Sequence, residues 1–209
     1  MLGKLESAIG KTVEQFQNYP YFLSERDIQA LLFVELRNET SELRYPYDAK
    51  GANHRFGFTN PLEIHPVTTE YYIGVGKRDR FDVAVLSNEP DSALDIWRQP
   101  CQVAIEIKLW QPGYPGSGYR RDVEKLQRYQ SNLQNMITKA RAFTGIAMLF
   151  VHPDAEPRTG TLMPKENSGD PYPKSGIALH FVTREHHRWQ QQSPAPTIPA
   201  QVDALAQTT

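Results

Sequence analysis

The sequence predicts an α/β fold with a mixed sheet, and three observations carry that expectation. Strand-like stretches follow one another at residues 68–76, 80–86 and 102–110, separated by a GKRD turn and a proline-bounded polar segment, as an antiparallel meander requires. A long helical pattern comes next, from about Tyr119 to Phe143. The run GIAMLFVHP then reads as a central strand covered on both faces. A strand, a helix and a second strand in this order lie parallel in one sheet, with a right-handed crossover.

The remaining elements follow from local pattern. LGKLESAIGKTVEQF has apolar residues at helical spacing and predicts a peripheral first helix that ends at the Asn18, Tyr19, Pro20 segment. In LSERDIQALLFVELRN, Ser24 is the expected N-cap, with Asp27 in the capping-box position, and Ile28, Leu31, Leu32 and Leu36 form the apolar stripe. From Glu42 to Pro66 the pattern is irregular, giving a short strand around LRYPY and a long loop. Phe81, Val83 and Val85 should share one strand face, with Asp82, Ala84 and Leu86 on the other. In the long helix, Val123, Leu126, Leu133, Met136 and Ile137 are the expected core residues. GIALHFV, residues 176–182, predicts an edge strand. A single domain over 1–189 is expected, with residues 190–209 a disordered, proline-containing tail.

Composition excludes several classes. The 209 residues are 39% hydrophobic and 22% charged, ordinary for one globular domain, and no apolar run is long enough to span a bilayer. The N-terminus lacks the apolar stretch of a secretory signal. One cysteine, Cys101, rules out an intramolecular disulfide or a cysteine metal cluster. Together these features predict a cytoplasmic protein with no membrane partner. A formal net charge of −1 argues against coating nucleic acid through bulk charge. The basic residues are nevertheless clustered, at Lys77, Arg78 and Arg80 and again at Arg120, Arg121, Lys125 and Arg128.

Chemistry concentrates in VAIEIKLW. Strand alternation puts Glu106 and Lys108 on one face of an otherwise apolar strand, and pairing with the preceding strand brings Asp82 toward Glu106. Two close carboxylates repel unless a cation or a proton lies between them. A divalent metal is the economical answer, since Mg²⁺ is commonly held by one or two carboxylates at about 2.0 to 2.1 Å. Asp82 and Glu106 would supply them, and the Ile107 carbonyl could add an oxygen. Lys108 would orient the attacking water and offset negative charge at phosphorus.

An aspartate on one strand, then glutamate, any residue and lysine on the next, preceded by a glutamate-bearing helix, resembles the PD-(D/E)XK nuclease superfamily. The matching residues are Asp82, then Glu106, Ile107 and Lys108, with SERDIQALLFVEL upstream, over roughly residues 22–152. Phe81 stands where the family often has proline. The resemblance implies a restriction-endonuclease-like α/β/α fold of three layers, in which a central mixed sheet begins with an antiparallel meander and continues through a helix crossover. It also implies a Mg²⁺-dependent deoxyribonuclease, with Mn²⁺ expected to substitute and DNA favoured over RNA. A homodimer would let two sites cut both strands.

The family's helix acid would be Glu25, helping to hold a metal or its water shell, with Glu35 on the other edge of the stripe as the alternative. Arg121, Lys125 and Arg128 share a helix face and could contact phosphates; equally, they could be exposed partners of Asp122 and Glu124. Tyr114, Tyr119 and Trp110 could stack on unpaired bases or simply pack the core. The six histidines show no metal-ligand spacing beyond the adjacent His186 and His187. The competing functional reading is a noncatalytic nucleic-acid-binding or regulatory protein that retains the fold.

Overall fold

A computed structural model describes residues 1–19, 24–47, 62–72, 80–88, 99–112, 117–136, 142–158 and 164–192. The architecture is α/β, with three helices and a six-stranded mixed sheet among these residues. Helices α1 (Leu2–Asn18) and α2 (Glu25–Glu39) come first, followed by a two-stranded antiparallel ribbon of β1 (Tyr45–Tyr47) and β2 (Leu62–Ile64). The main sheet contains β3 (Val67–Tyr72), β4 (Arg80–Leu86), β5 (Cys101–Trp110), β6 (Thr144–Val151), β7 (Gly176–Val182) and β8 (His187–Gln192), in that spatial order. Helix α3 (Ser117–Met136) connects β5 to β6.

The meander is antiparallel from β3 through β5, β5 to β7 are parallel, and β8 returns antiparallel. Strand alternation then sorts the core into two clusters. Val83, Val85, Val103, Ile105, Ile107 and Ile146 pack with the α1 and α2 residues Ile9, Phe16, Ile28 and Leu32. Ala84, Ala104, Ala147 and Leu149 pack instead with Leu126, Tyr129 and Leu133 of α3. Strand β6 is buried along its whole length, as its apolar run requires. Ser24 caps α2 by accepting the Asp27 N–H, while its own hydroxyl donates to Asp27 Oδ2.

Four expectations are corrected. β7 lies between β6 and β8 and is fully buried, so β8 is the edge strand. Its polar sequence HRWQQQ suits a sheet rim, which is why apolar content alone passed it over. The folded chain accordingly continues to Gln192 rather than ending at 189; residues 193–209, the rest of the expected tail, lie outside the described residues. Helix α3 is described only to Met136, and Phe143 is non-helical: it is buried before β6, and its carbonyl accepts the Gly176 N–H. β2, within the expected long loop, is strand. The GKRD turn, Tyr114 and Ile137 fall outside the described residues. Among the described residues no helix is long and apolar enough to cross a membrane.

Candidate active site

The site begins where the β4–β5 ladder ends. That ladder runs from Leu86 opposite Cys101 to Val83 opposite Ile105 and goes no further. The N–H groups of Ile107 and Leu109, two and four residues on, point the same way along β5 but have lost their strand partner. Unpaired main-chain donors in a covered sheet need acceptors. Two carboxylates supply them: Asp82 Oδ2 accepts from Ile107 N–H at 2.7 Å, and Glu25 Oε2 from Leu109 N–H at 3.0 Å. Since an extended residue directs its N–H and C=O to the same side, the Ile107 carbonyl also faces Asp82.

An irregularity in the neighbouring strand aims Asp82. β3 and β4 pair at Thr69 with Val83 and at Tyr71 with Phe81, leaving Glu70 and Asp82 between these pairs. Glu70 takes a φ of +50°, a left-handed backbone that a non-glycine residue rarely adopts. Gln29 of α2 bridges the break, its Nε2 donating to the Asp82 carbonyl at 2.7 Å and to Glu70 Oε1 at 3.3 Å. The same break carries Phe81 to the α3 side, where it meets Tyr129 edge-on at 5.1 Å. Phe81 therefore does not share a face with Val83 and Val85 as strict alternation predicted.

Each lysine has acidic company. Lys108 Nζ is 3.0 Å from Glu25 Oε2 and 3.8 Å from Asp122 Oδ2. Lys125, half-buried on α3, brings Nζ to 2.7 Å from Glu106 Oε1 and donates to the Arg80 carbonyl at 2.6 Å. Glu106 Oε1 is wholly enclosed, and despite this close ion contact it has no donor aligned for a hydrogen bond.

The electrostatics follow from burial. Desolvation and the Asp82 charge push the Glu106 acid up to about 9, although Lys125 opposes them. Desolvation raises Asp82 to about 6 against the Ile107 hydrogen bond and Lys125. Burial raises Asp122 as well. Burial works against the Lys108 charge, yet the Glu25 hydrogen bond and the charges of Asp122, Glu25 and Asp82 outweigh it and hold Lys108 above its ordinary value.

The structure thus brings together Glu25, Asp82, Glu106, Lys108 and Lys125. Glu35 is 3.7 Å from Lys11 of α1, leaving Glu25 as the α2 acid at this cluster. In this arrangement Glu25 grips Lys108 and the β5 backbone. Arg121 and Arg128 are exposed along the outer groove of α3 and do not join the cluster. Tyr119 is tied into the core, packing on Phe181 at 5.8 Å and donating to the Ala147 carbonyl. Asp122, Gln29 and Glu70 were not singled out from sequence. Asp122 lies three residues before Lys125 and Gln29 four after Glu25, so helical spacing carried a signal for both.

A second polar cluster joins β7 and β8. His180 Nδ1 and His187 Nε2 are 2.9 Å apart, and His180 Nε2 is 2.8 Å from the Pro171 carbonyl. Burial lowers both imidazoles to about 4. Strand pairing, invisible in sequence spacing, makes this contact.

Comparison with family profiles, curated proteins and solved structures finds no match to this chain. Among the described residues no three His, Cys, Asp or Glu side chains converge as a group that could hold a metal ion. The groups that could hold a cation are two carboxylates, Asp82 and Glu106, and the Ile107 carbonyl. Oxygen donors of this kind would take a hard divalent cation, and Glu106 Oε1 is enclosed without an aligned donor.

Proposed function

We propose that the chain is a metal-dependent nuclease of the PD-(D/E)XK type that hydrolyses DNA phosphodiester bonds at the β4–β5 junction. The observation that carries this reading is the convergence of Asp82 and Glu106, both desolvated, beside an ammonium held at Lys108. Burial and mutual repulsion disfavour the charged forms of Asp82 and Glu106, a cost that a bound divalent cation would offset.

Asp82, Glu106 and the Ile107 carbonyl would hold Mg²⁺ or Mn²⁺. When bound, such an ion acidifies water and stabilises charge on phosphoryl oxygens. With its pKa raised, Lys108 stays protonated at neutral pH. That suits a donor that orients the attacking water and offsets charge on the phosphate. Glu25 and Asp122 fix that ammonium from two helices. Arg121 and Arg128, exposed on the α3 groove, would contact backbone phosphates. The restriction-endonuclease-like arrangement is supported by the meander, the α3 connection and helices packed on both sheet faces.

Linear, circular and single-stranded DNA should be cut with Mg²⁺ or Mn²⁺ by the wild type. Asp82→Ala or Lys108→Ala should reduce the rate by about 10²-fold or more, the scale for losing a positioned electrostatic group. Lys125 at Glu106 favours a second reading, a nucleic-acid-binding protein that does not cut. Metal-independent DNA binding without any cleavage would select it.

A further inference from the structure

We propose that Lys125 is an internal counter-cation, which occupies Glu106 in the metal-free protein and must leave before a divalent ion can bind there. This inference rests on the reading of Asp82 and Glu106 as the metal carboxylates. It adds that metal loading is a competition with the chain's own ammonium.

Three features make Lys125 a latch. Its Nζ is 2.7 Å from Glu106 Oε1, close enough that its positive charge would repel an ion bound to that oxygen. Its side chain is 14% exposed and that of Glu106 only 3%, so water does little to screen the pair. The ammonium is seated from two further sides, by the Arg80 carbonyl at 2.6 Å and by the Phe81 ring, whose centroid is 5.8 Å away. Lys108 does not substitute for it, being engaged with Glu25 and Asp122.

The seat is also one that can be vacated. Lys125 Nζ meets Glu106 Oε1 at 2.7 Å without an aligned hydrogen bond, so the contact is one that a divalent ion can displace. Lys125 lines the open groove of α3 with Arg121 and Arg128, and its flexible stem lets the ammonium swing outward. There a nucleic-acid phosphate would receive it, so substrate in the groove and metal at Glu106 should favour one another.

The test is Mn²⁺ binding by calorimetry on four full-length proteins: wild type, Lys125→Met, Arg121→Gln as a charge control and Asp82→Asn as a site control. Lys125→Met should bind Mn²⁺ about tenfold more tightly than wild type, Arg121→Gln should differ from it by less than about threefold, and Asp82→Asn should lose binding. Unchanged or weaker binding by Lys125→Met, with Asp82→Asn still deficient, overturns the latch and leaves the metal site standing. No Mn²⁺ binding by either wild type or Lys125→Met overturns both. On the wild type alone, NMR of lysine ammonium groups should find Lys125 protected without metal and released with Mg²⁺. A Lys125 signal still protected at saturating Mg²⁺ also defeats the proposal.

Discussion

Glu106 sets how the stability of the folded chain responds to pH. Its pKa rises from 4.5 to about 9 on folding, chiefly through burial. Between those values the folded state holds more protons than the unfolded one, so stability falls as pH rises. The expected slope approaches 1.4 kcal/mol per pH unit at about pH 7 to 8. Chemical denaturation across this range should reveal the decline, and Glu106→Gln should flatten it. An equal slope in the variant would show that another group is responsible. Gly118 offers a second residue-level prediction. A Cβ there would lie 2.9 Å from Lys108 Cε and 3.3 Å from its Nζ. Alanine favours a helix over glycine by about 0.8 to 1.0 kcal/mol, and the end of a lysine can yield. Gly118→Ala should therefore leave the melting temperature equal or higher while displacing Lys108 and lowering the cleavage rate. Unaltered kinetics would mean that the position of Lys108 does not matter.

At the scale of elements, β5 and the start of α2 form one unit. β4 stops pairing at Val83, and the N-terminal turn of α2 takes over through Glu25 and its bond to Leu109 N–H. The grip depends on how α2 sits, and Ile28, Leu32 and Leu36 seat it in the core at 0% exposure. Leu32→Ala should cost about 2 to 5 kcal/mol, the range for emptying a buried leucine site. Glu25→Gln keeps an acceptor but removes the charge opposite Lys108. It should retain most of the stability and lose more activity than Leu32→Ala does below its own unfolding transition. Comparing kcat with denaturation midpoints for the two variants separates seating from charge.

At the scale of the whole molecule, the sheet carries opposing titrations at two places. His180 and His187 hold the edge strand to β7 as neutral imidazoles, with pKa lowered from 6.5 to about 4. In that window the unfolded chain binds more protons, so their contribution to stability is lost as pH falls from about 6.5 toward 4. Glu106 and Asp82 push the other way there. Above about 6.5 the histidines no longer titrate, and the decline belongs to Glu106. Hydrogen exchange at pH 5 should find β8 opening before β5 and β6. Simultaneous opening of all three strands would deny the histidine pair this role.

The sequence by itself determined the α/β class, the meander, the buried β6 and the Glu106, Lys108 face, because periodicity and apolar run length are local properties of a chain. It also marked Asp82 and favoured Glu25. Other features had to await tertiary structure. The edge strand HRWQQQ is polar, and only its pairing with β7 makes it a strand. The turn of Phe81 toward α3 depends on the irregularity at Glu70, and the roles of Gln29 and Asp122 depend on how helices dock on the sheet. Above all, the choice of Lys125, rather than Arg121 or Arg128, to meet Glu106 was set by the rotation of α3 against β5. Pattern can place three basic residues on one helix face, but packing decides which of them is buried against an acid.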